Sequence, residues 1–280
     1  MKTQLENIIQ HVWQKEKRNL FTFLTGAGIS SDSGIPTYRG IDGIWVKGTQ
    51  FHKPEEFGTL RYFRQHPEEV LQYSLFRKKM FENASPNESH FELVDIEMQL
   101  QNRFHLITQN IDNLHRRSGS QRIYEIHGNN REIKCSNGCK EILNLPVEIN
   151  GKELDEDLTI RDKELLTCSH CGHWMRPNIL WFDEYYDEKT NKKFSALKIA
   201  KNSGVLFIIG TSGATSLPIA IAETALKYGA FIVDINTEDN NFTDLIKNKK
   251  NTLIIREKST EVLKTIKEII KKQNPKSYLR

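Results

Sequence analysis

Apolar residues recur in two rhythms along this chain. Leu5, Ile8, Ile9 and Val12 fall at i, i+3, i+4 and i+7, the spacing of one helix face, and predict an amphipathic helix over 5–18. Short runs rich in β-branched and aromatic residues follow, at 20–25, 104–108, 122–126, 179–182, 205–210, 231–235 and 252–255, and predict strands. Helical patterns over 91–100, 218–228 and 261–271 separate several of them. Near-continuous apolar strands alternating with helices predict a parallel sheet covered on both faces: an α/β fold of the doubly wound, Rossmann-like class.

Two stretches break the rhythm. Residues 41–90 carry Gly43, Gly48, Pro54 and Pro67 with a helical pattern over 68–81, and 131–175 contains a charged, core-poor segment over 151–163. Both read as excursions that together form a smaller domain, leaving 1–40, 91–130 and 176–280 to the sheet. There is no internal repeat.

Composition narrows the class without deciding it. With 38% hydrophobic and 27% charged residues among 280, the chain is globular rather than disordered. A formal charge of +4 is too mild to call for nucleic acid, so no direct nucleic-acid partner is expected. No apolar run approaches the roughly 20 residues of a membrane span, and Met1-Lys-Thr-Gln-Leu-Glu lacks the apolar core of a signal peptide. A cytoplasmic location without a membrane partner is expected.

Cysteine changes the picture most. Four occur, as Cys135-x₃-Cys139 and Cys168-x₂-Cys171, all within the second excursion. Paired cysteines at this spacing in a reducing compartment read as metal ligands before disulfides. Four thiolates complete a tetrahedral Zn²⁺ shell and leave no open position, so the expected zinc ribbon is structural. His170 and His173 flank the second pair and are read as solvated.

Three further groups could carry chemistry. Gly26-Ala-Gly28 follows a strand and suits a turn whose N–H groups approach a phosphate, although glycines follow strands for turn geometry alone just as often. The usual dinucleotide fingerprint is incomplete, with no third glycine at the expected offset. Asn110 and Asp112 lie just past the strand 104–108, where they could bind a nucleotide or simply cap a turn. His127 closes the strand 122–126, at the sheet edge where open α/β folds carry their sites, and imidazole suits a proton acceptor near neutral pH.

The wider sequence around these groups resembles the sirtuins, the NAD-dependent protein deacylase family. The resemblance rests on Gly26-Ala-Gly-Ile-Ser-Ser-Asp-Ser-Gly-Ile-Pro-Thr-Tyr-Arg39, Thr108-Gln-Asn-Ile-Asp-Asn-Leu-His115, Glu125-Ile-His-Gly128, Gly210-Thr-Ser212 and Ile235-Asn-Thr-Glu238, in the family's order, with the cysteine pairs between the third and fourth. It implies NAD and Zn²⁺ as cofactors and an acyl-lysine protein or peptide as partner. It implies that His127 is the general base and Asn110 a second catalytic residue. Gly26, Ala27, Gly28, Ser30, Pro36, Tyr38, Arg39, Gln109, Asn110, Ile111, Asp112, Gly210, Thr211, Ser212, Asn236 and Glu238 would face NAD. The implied reaction is attack of the acyl oxygen on the ribose as nicotinamide leaves, then transfer of the acyl group to ADP-ribose with His127 assisting.

Departures from the family pattern keep alternatives open. In Arg176-Pro-Asn-Ile-Leu-Trp-Phe-Asp-Glu184, Asp183 replaces the glycine of the family's Phe-Gly-Glu segment, and the loop 213–218 is altered. ADP-ribosyl transfer, plain NAD hydrolysis and a non-catalytic NAD-sensing module are the rival readings. Members specialised for acidic acyl groups carry Tyr-x-x-Arg where Ser74 and Arg77 stand here. With Asp183 adding negative charge to the channel, neutral acyl groups are expected to be preferred over succinyl or malonyl.

Overall fold

The computed structural model describes residues 1–37, 54–139 and 141–273. Among the described residues nine strands appear in chain order: β1 (Leu20–Thr25), β2 (Phe104–Thr108), β3 (Ile123–Glu125), β4 (Gly128–Cys135), β5 (Leu143–Asn144), β6 (Met175–Ile179), β7 (Ser203–Ile209), β8 (Phe231–Ile235) and β9 (Thr252–Ile255). Six form one sheet in the order β3-β2-β1-β7-β8-β9, every pair parallel. The order runs outward from β1 in one direction and from β7 in the other. The point between them is therefore a topological switch, where the loops leaving adjacent strands part.

The sheet is covered on both faces, as its unbroken apolar strands require. On one side pack the helices Lys2–Trp13, Glu88–Leu100 and Ser259–Gln273, with Leu5, Ile9, Leu93, Ile96, Val262 and Ile266 meeting Phe21, Phe23 and Phe207. On the other lie Lys193–Asn202, Ser216–Lys227 and Asn241–Ile246, with Ala196, Ile221, Ala222 and Phe242 against Leu24, Leu206 and Ile208. Leu5, Ile8, Ile9 and Val12 are all buried, as their spacing predicts, but the first helix ends at Trp13 rather than at residue 18.

The remaining strands form a small antiparallel sheet, β5-β4-β6. It shares one core with the helix Pro67–Asn83: Phe63, Val70, Leu71 and Leu75 pack with Ile133, Ile149, Leu158, Leu166 and Met175. Within the segment read as core-poor, the helix Ile160–Leu165 is held by a Thr159/Asp162 capping box, and the flanking Leu158 and Leu166 are buried. The strand expected over 179–182 is not one. The true strand is Met175–Ile179, and residues 180–184 turn away from it, with the Leu180 N–H donating to the His127 carbonyl at 3.0 Å. Among the described residues no helix is long and apolar enough to cross a membrane.

Candidate functional site

A cavity of about 1160 Å³ lies along the C-terminal ends of all six parallel strands. Gly26, Ala27, Gly28 and Ser30 enter it after β1, Gln109, Asn110, Ile111 and Asp112 after β2, and His127 after β3. Gly210, Thr211 and Ser212 follow β7, Asn236 and Glu238 follow β8, and Pro36 lines the wall beyond the first loop. Every catalytic and cofactor-binding residue expected from the sequence that falls among the described residues lines this one cavity. Tyr38 and Arg39 lie outside the described residues. The opposite wall comes from the small module, with Phe57, Val70, Tyr73, Arg77 and Trp181.

The glycines answer a packing demand. A Cβ on Gly26 would lie 2.5 Å from the Thr211 Cβ, one on Gly28 2.7 Å from the Gly210 Cα, and one on Gly210 2.6 Å from the Ile29 nitrogen. The loops after β1 and β7 thus touch backbone to backbone at the switch point and form the cavity floor, which a side chain would pry open.

Amides and hydroxyls line that floor in linked pairs. Ser30 Oγ donates to Asp112 Oδ2 at 2.7 Å, and Asn110 Nδ2 donates to Ser30 Oγ at 3.2 Å. Asp112 also accepts from the Leu114 N–H at 2.9 Å, so its capping role is realised as well. Burial pushes the Asp112 carboxyl pKa up, while the Leu114 and Ser30 hydrogen bonds and the Arg77 charge pull it back. Gln109 Nε2 donates to Thr211 Oγ1 at 2.8 Å, and the Thr211 N–H donates to Asn236 Oδ1 at 2.9 Å. This donor and acceptor set, on a concave floor at a topological switch, fits the hydroxyls and carboxamide of a nicotinamide dinucleotide.

His127 sits where the chain leaves the large sheet for the small one. Gly128 follows at φ +81°, and a Cβ there would meet the Asn178 carbonyl oxygen at 1.8 Å, so only glycine can carry β4 past β6 at this point. Burial pushes the His127 pKa down to about 4, partly opposed by a hydrogen bond with the Gln109 backbone. The ring is therefore neutral near pH 7, with a lone pair to offer. Tyr186, which sequence reasoning missed, places its hydroxyl 2.8 Å from His127 Nε2. The two residues are 59 positions apart, and no local spacing announces the pair.

Asp183 does not enter the cavity. It is exposed, and its carboxylate accepts from the N–H groups of Leu60 and Arg61 at 2.7 and 3.0 Å, helping to cap the helix Leu60–Gln65 beside Thr59. The expectation that it charges an acyl channel falls with that geometry. Ser74 and Arg77 do line the cavity, Ser74 bonding Asn130 at 3.3 Å and Arg77 stacking over Phe81 at 5.2 Å.

The four cysteines converge at the far end of the small sheet. Their Sγ atoms all lie within 4.8 Å of one another, with pairs from 3.2 to 3.5 Å apart. Tetrahedral zinc with bonds of about 2.3 Å sets sulfurs roughly 3.8 Å apart, so four thiolates fit the ion with slight expansion. Two turns present them, each closed by a glycine at positive φ, Gly138 and Gly172. Backbone N–H groups of His170 and Cys171 hold the Cys168 thiol pKa down to about 6, which favours the ligating thiolate. His170 and His173 are exposed and outside the cluster, and no cysteine lines the cavity. Such a metal would be structural.

Comparison with known proteins agrees with this geometry. The model of the Sir2 family matches residues 26–216. An NAD-dependent protein deacylase of Leptospira interrogans is 35% identical over 261 residues, covering 91% of this chain and 95% of that one. A Sir2 homologue solved with NAD superposes with a TM-score of 0.76 at 26% identity, covering 96% of this chain and 94% of that one. A Sir2 structure holding a p53 peptide and NAD⁺ superposes at 0.71, also at 26% identity, covering 96% of this chain and 98% of that one. The fold and site define a doubly wound nucleotide-binding protein with a cysteine-clustered module. The chain belongs to the Sir2 family.

Proposed function

We propose that this chain is an NAD-dependent protein-lysine deacylase that releases nicotinamide and transfers the acyl group to ADP-ribose. The observation that carries the reading is the convergence of Gln109, Asn110, Asp112 and a neutral His127 on one cavity, faced by the apolar wall of the small module. Bound NAD supplies an activated ribose carbon with nicotinamide as its leaving group. Gly26, Ala27, Gly28, Ser30, Gly210, Thr211, Ser212, Asn236 and Glu238 would hold the nucleotide, with Pro36, Tyr38 and Arg39 completing the first loop. Asn110, Ile111 and Asp112 would orient the reacting end, and Gln109 a ribose.

His127 is the base of this reading. With NAD bound, its Nε2 lone pair would be placed to accept the proton of a ribose hydroxyl, and the hydrogen bond with the Gln109 backbone would steady the ring. The aromatic and aliphatic wall of Phe57, Val70 and Trp181 would exclude water from the acyl-lysine. NAD hydrolysis and ADP-ribosyl transfer drew support from Asp183, which lies elsewhere, and from the altered loop 213–218, whose Ala214, Thr215 and Ser216 do line the cavity. The division into a sheet domain (1–40, 91–130, 176–280) and a small domain (41–90, 131–175), cytoplasmic residence and the absence of a nucleic-acid partner belong to the same reading. The common core of the two excursions supports the division, although β6 and Trp181 carry the small module past residue 175, and the +4 charge supports the lack of a nucleic-acid partner.

Incubation with NAD and acetyl-lysine peptide, followed by mass spectrometry, tests the proposal. Free lysine peptide and O-acetyl-ADP-ribose are expected in equal amounts, and His127→Ala should lower their formation by about 10²-fold or more. ADP-ribose alone would indicate hydrolysis, and an ADP-ribosylated peptide would indicate transfer.

A further inference from the structure

Neutral imidazole offers one N–H and one lone pair, so its two nitrogens need unlike partners. At His127 the Tyr186 hydroxyl takes Nε2, so a hydrogen bond with the Gln109 backbone carbonyl, which favours the protonated ring, is left to the other nitrogen. That nitrogen, Nδ1, carries the proton. Nε2 then holds the lone pair, and the Tyr186 hydroxyl at 2.8 Å must donate to it. The rings stand 5.8 Å apart between centroids, tilted by 36°, so the contact is made edgewise through these polar atoms.

Tyr186 is itself held. Its oxygen also accepts a hydrogen bond from Thr215, whose Oγ1 lies 3.4 Å from Gln109 Oε1, and Thr215 is the N-cap residue of the helix Ser216–Lys227. His127, Tyr186, Thr215 and Gln109 thereby close a loop of contacts. It joins the ends of β2 and β3, the segment after β6 and the loop after β7.

We propose that Tyr186 is a positioning residue for His127, selecting the tautomer whose Nε2 lone pair faces the cavity and holding it there until a substrate hydroxyl takes over. The proposal rests on the reading of His127 as the base. It makes the alert state of that base a property of the free protein, set before any substrate binds.

The test uses the full-length, zinc-loaded protein labelled with ¹⁵N-histidine. In long-range ¹H–¹⁵N spectra, the resonances lost in His127→Ala should show a protonated Nδ1 and an unprotonated, hydrogen-bonded Nε2. Tyr186→Phe should shift the Nε2 resonance and populate the other tautomer. The same variant should lower kcat for deacylation about tenfold, a fraction of the loss at the base itself, while KM for NAD and nicotinamide exchange stay within about twofold. Replacing tyrosine with 3-fluorotyrosine, a stronger donor in an unchanged fold, should move the Nε2 resonance further in the hydrogen-bonded direction. Unaltered His127 resonances in both proteins, or kcat and KM for NAD worsening together in Tyr186→Phe, would overturn the proposal. If His127→Ala deacylates at the wild-type rate, the base assignment fails and this proposal with it. The spectra in the absence of NAD tell that failure from one confined to Tyr186.

Discussion

The six-stranded sheet and the small module hold themselves together by different means. The sheet buries long apolar strands between two helical layers, with Phe21, Phe23, Phe104 and Phe207 fully inside. Among the described residues the small module has three strands, one of only two residues, and gathers four sulfurs at its tip. A sheet covered on both faces gains its stability from buried area, whereas the small module, beside its own smaller core, would gain further stability from a metal at its tip. The lesson is that the two walls of one cavity can be lost separately.

Zinc removal should separate them most sharply. One Zn²⁺ per chain is expected by elemental analysis, and structural zinc sites carry apparent binding energies of about 10–16 kcal/mol. Chelation or Cys168→Ser should abolish deacylation and expose Trp174 and Trp181, followed by fluorescence, while hydrogen exchange stays slow in β1, β7 and β8. Uniform loss of protection across both sheets would show that the walls are one cooperative unit.

Gly128→Ala strikes the seam between them. With a Cβ forced onto the Asn178 carbonyl and φ at +81°, the variant should lose several kcal/mol in urea unfolding, at the upper end for single substitutions. A loss below about 1 kcal/mol would mean that β4 and β6 part easily there.

Acid should weaken the sheet side first. Burial pushes His90 down to about 4 and His115 well below the usual imidazole value. The unfolded chain takes up protons near pH 6.5 that these folded rings refuse. Stability should therefore be full above about pH 7 and fall as pH drops from about 6.5 to 4, by at most about 1.4 kcal/mol per pH unit for each ring. Melting temperature against pH should give a shallower slope for His90→Gln. An equal slope would remove His90 from the account.

Asp183→Ala is the mildest change. Losing a helix cap should cost about 1 kcal/mol and leave the ratio of deacetylation to desuccinylation unchanged in a peptide panel. A changed ratio would return Asp183 to the acyl channel.

How far the sequence could be read follows the same division. Strands β1, β2, β8 and β9 match their apolar runs residue for residue, because a strand buried on both faces leaves a continuous signal. The small sheet hides. Strand β6 is Met-Arg-Pro-Asn-Ile, polar enough to read as a loop. It is buried because Asn178 reaches Glu132 at 2.8 Å and Arg176 pairs with Glu184 beneath the Trp181 ring. The apolar run after it, Ile179 to Phe182, looks like a strand yet turns, since Trp181 packs on Phe63 instead. The cysteine cluster was legible from spacing because two short turns make it. Gly26, Gly28, Asn110, Asp112 and His127 stood out from their places after strands, the other cavity residues became legible through family resemblance, and the contacts of Tyr186 and Asp183 were not legible, because their partners lie 59 and more than 120 positions away.

The crossing at Gly128 and Ile179 also has a kinematic meaning. Two passages of the chain between the halves lie side by side there, paired as β4 and β6 begin and end. Rocking of the small module over the cavity would bend at this double strand as well as at the two ends of the 41–90 excursion, and His127 is the residue immediately before the double strand. A group at the fulcrum travels least while the walls swing. The proton acceptor would keep its address on the large sheet through opening and closing, and the moving parts would bring the peptide to it.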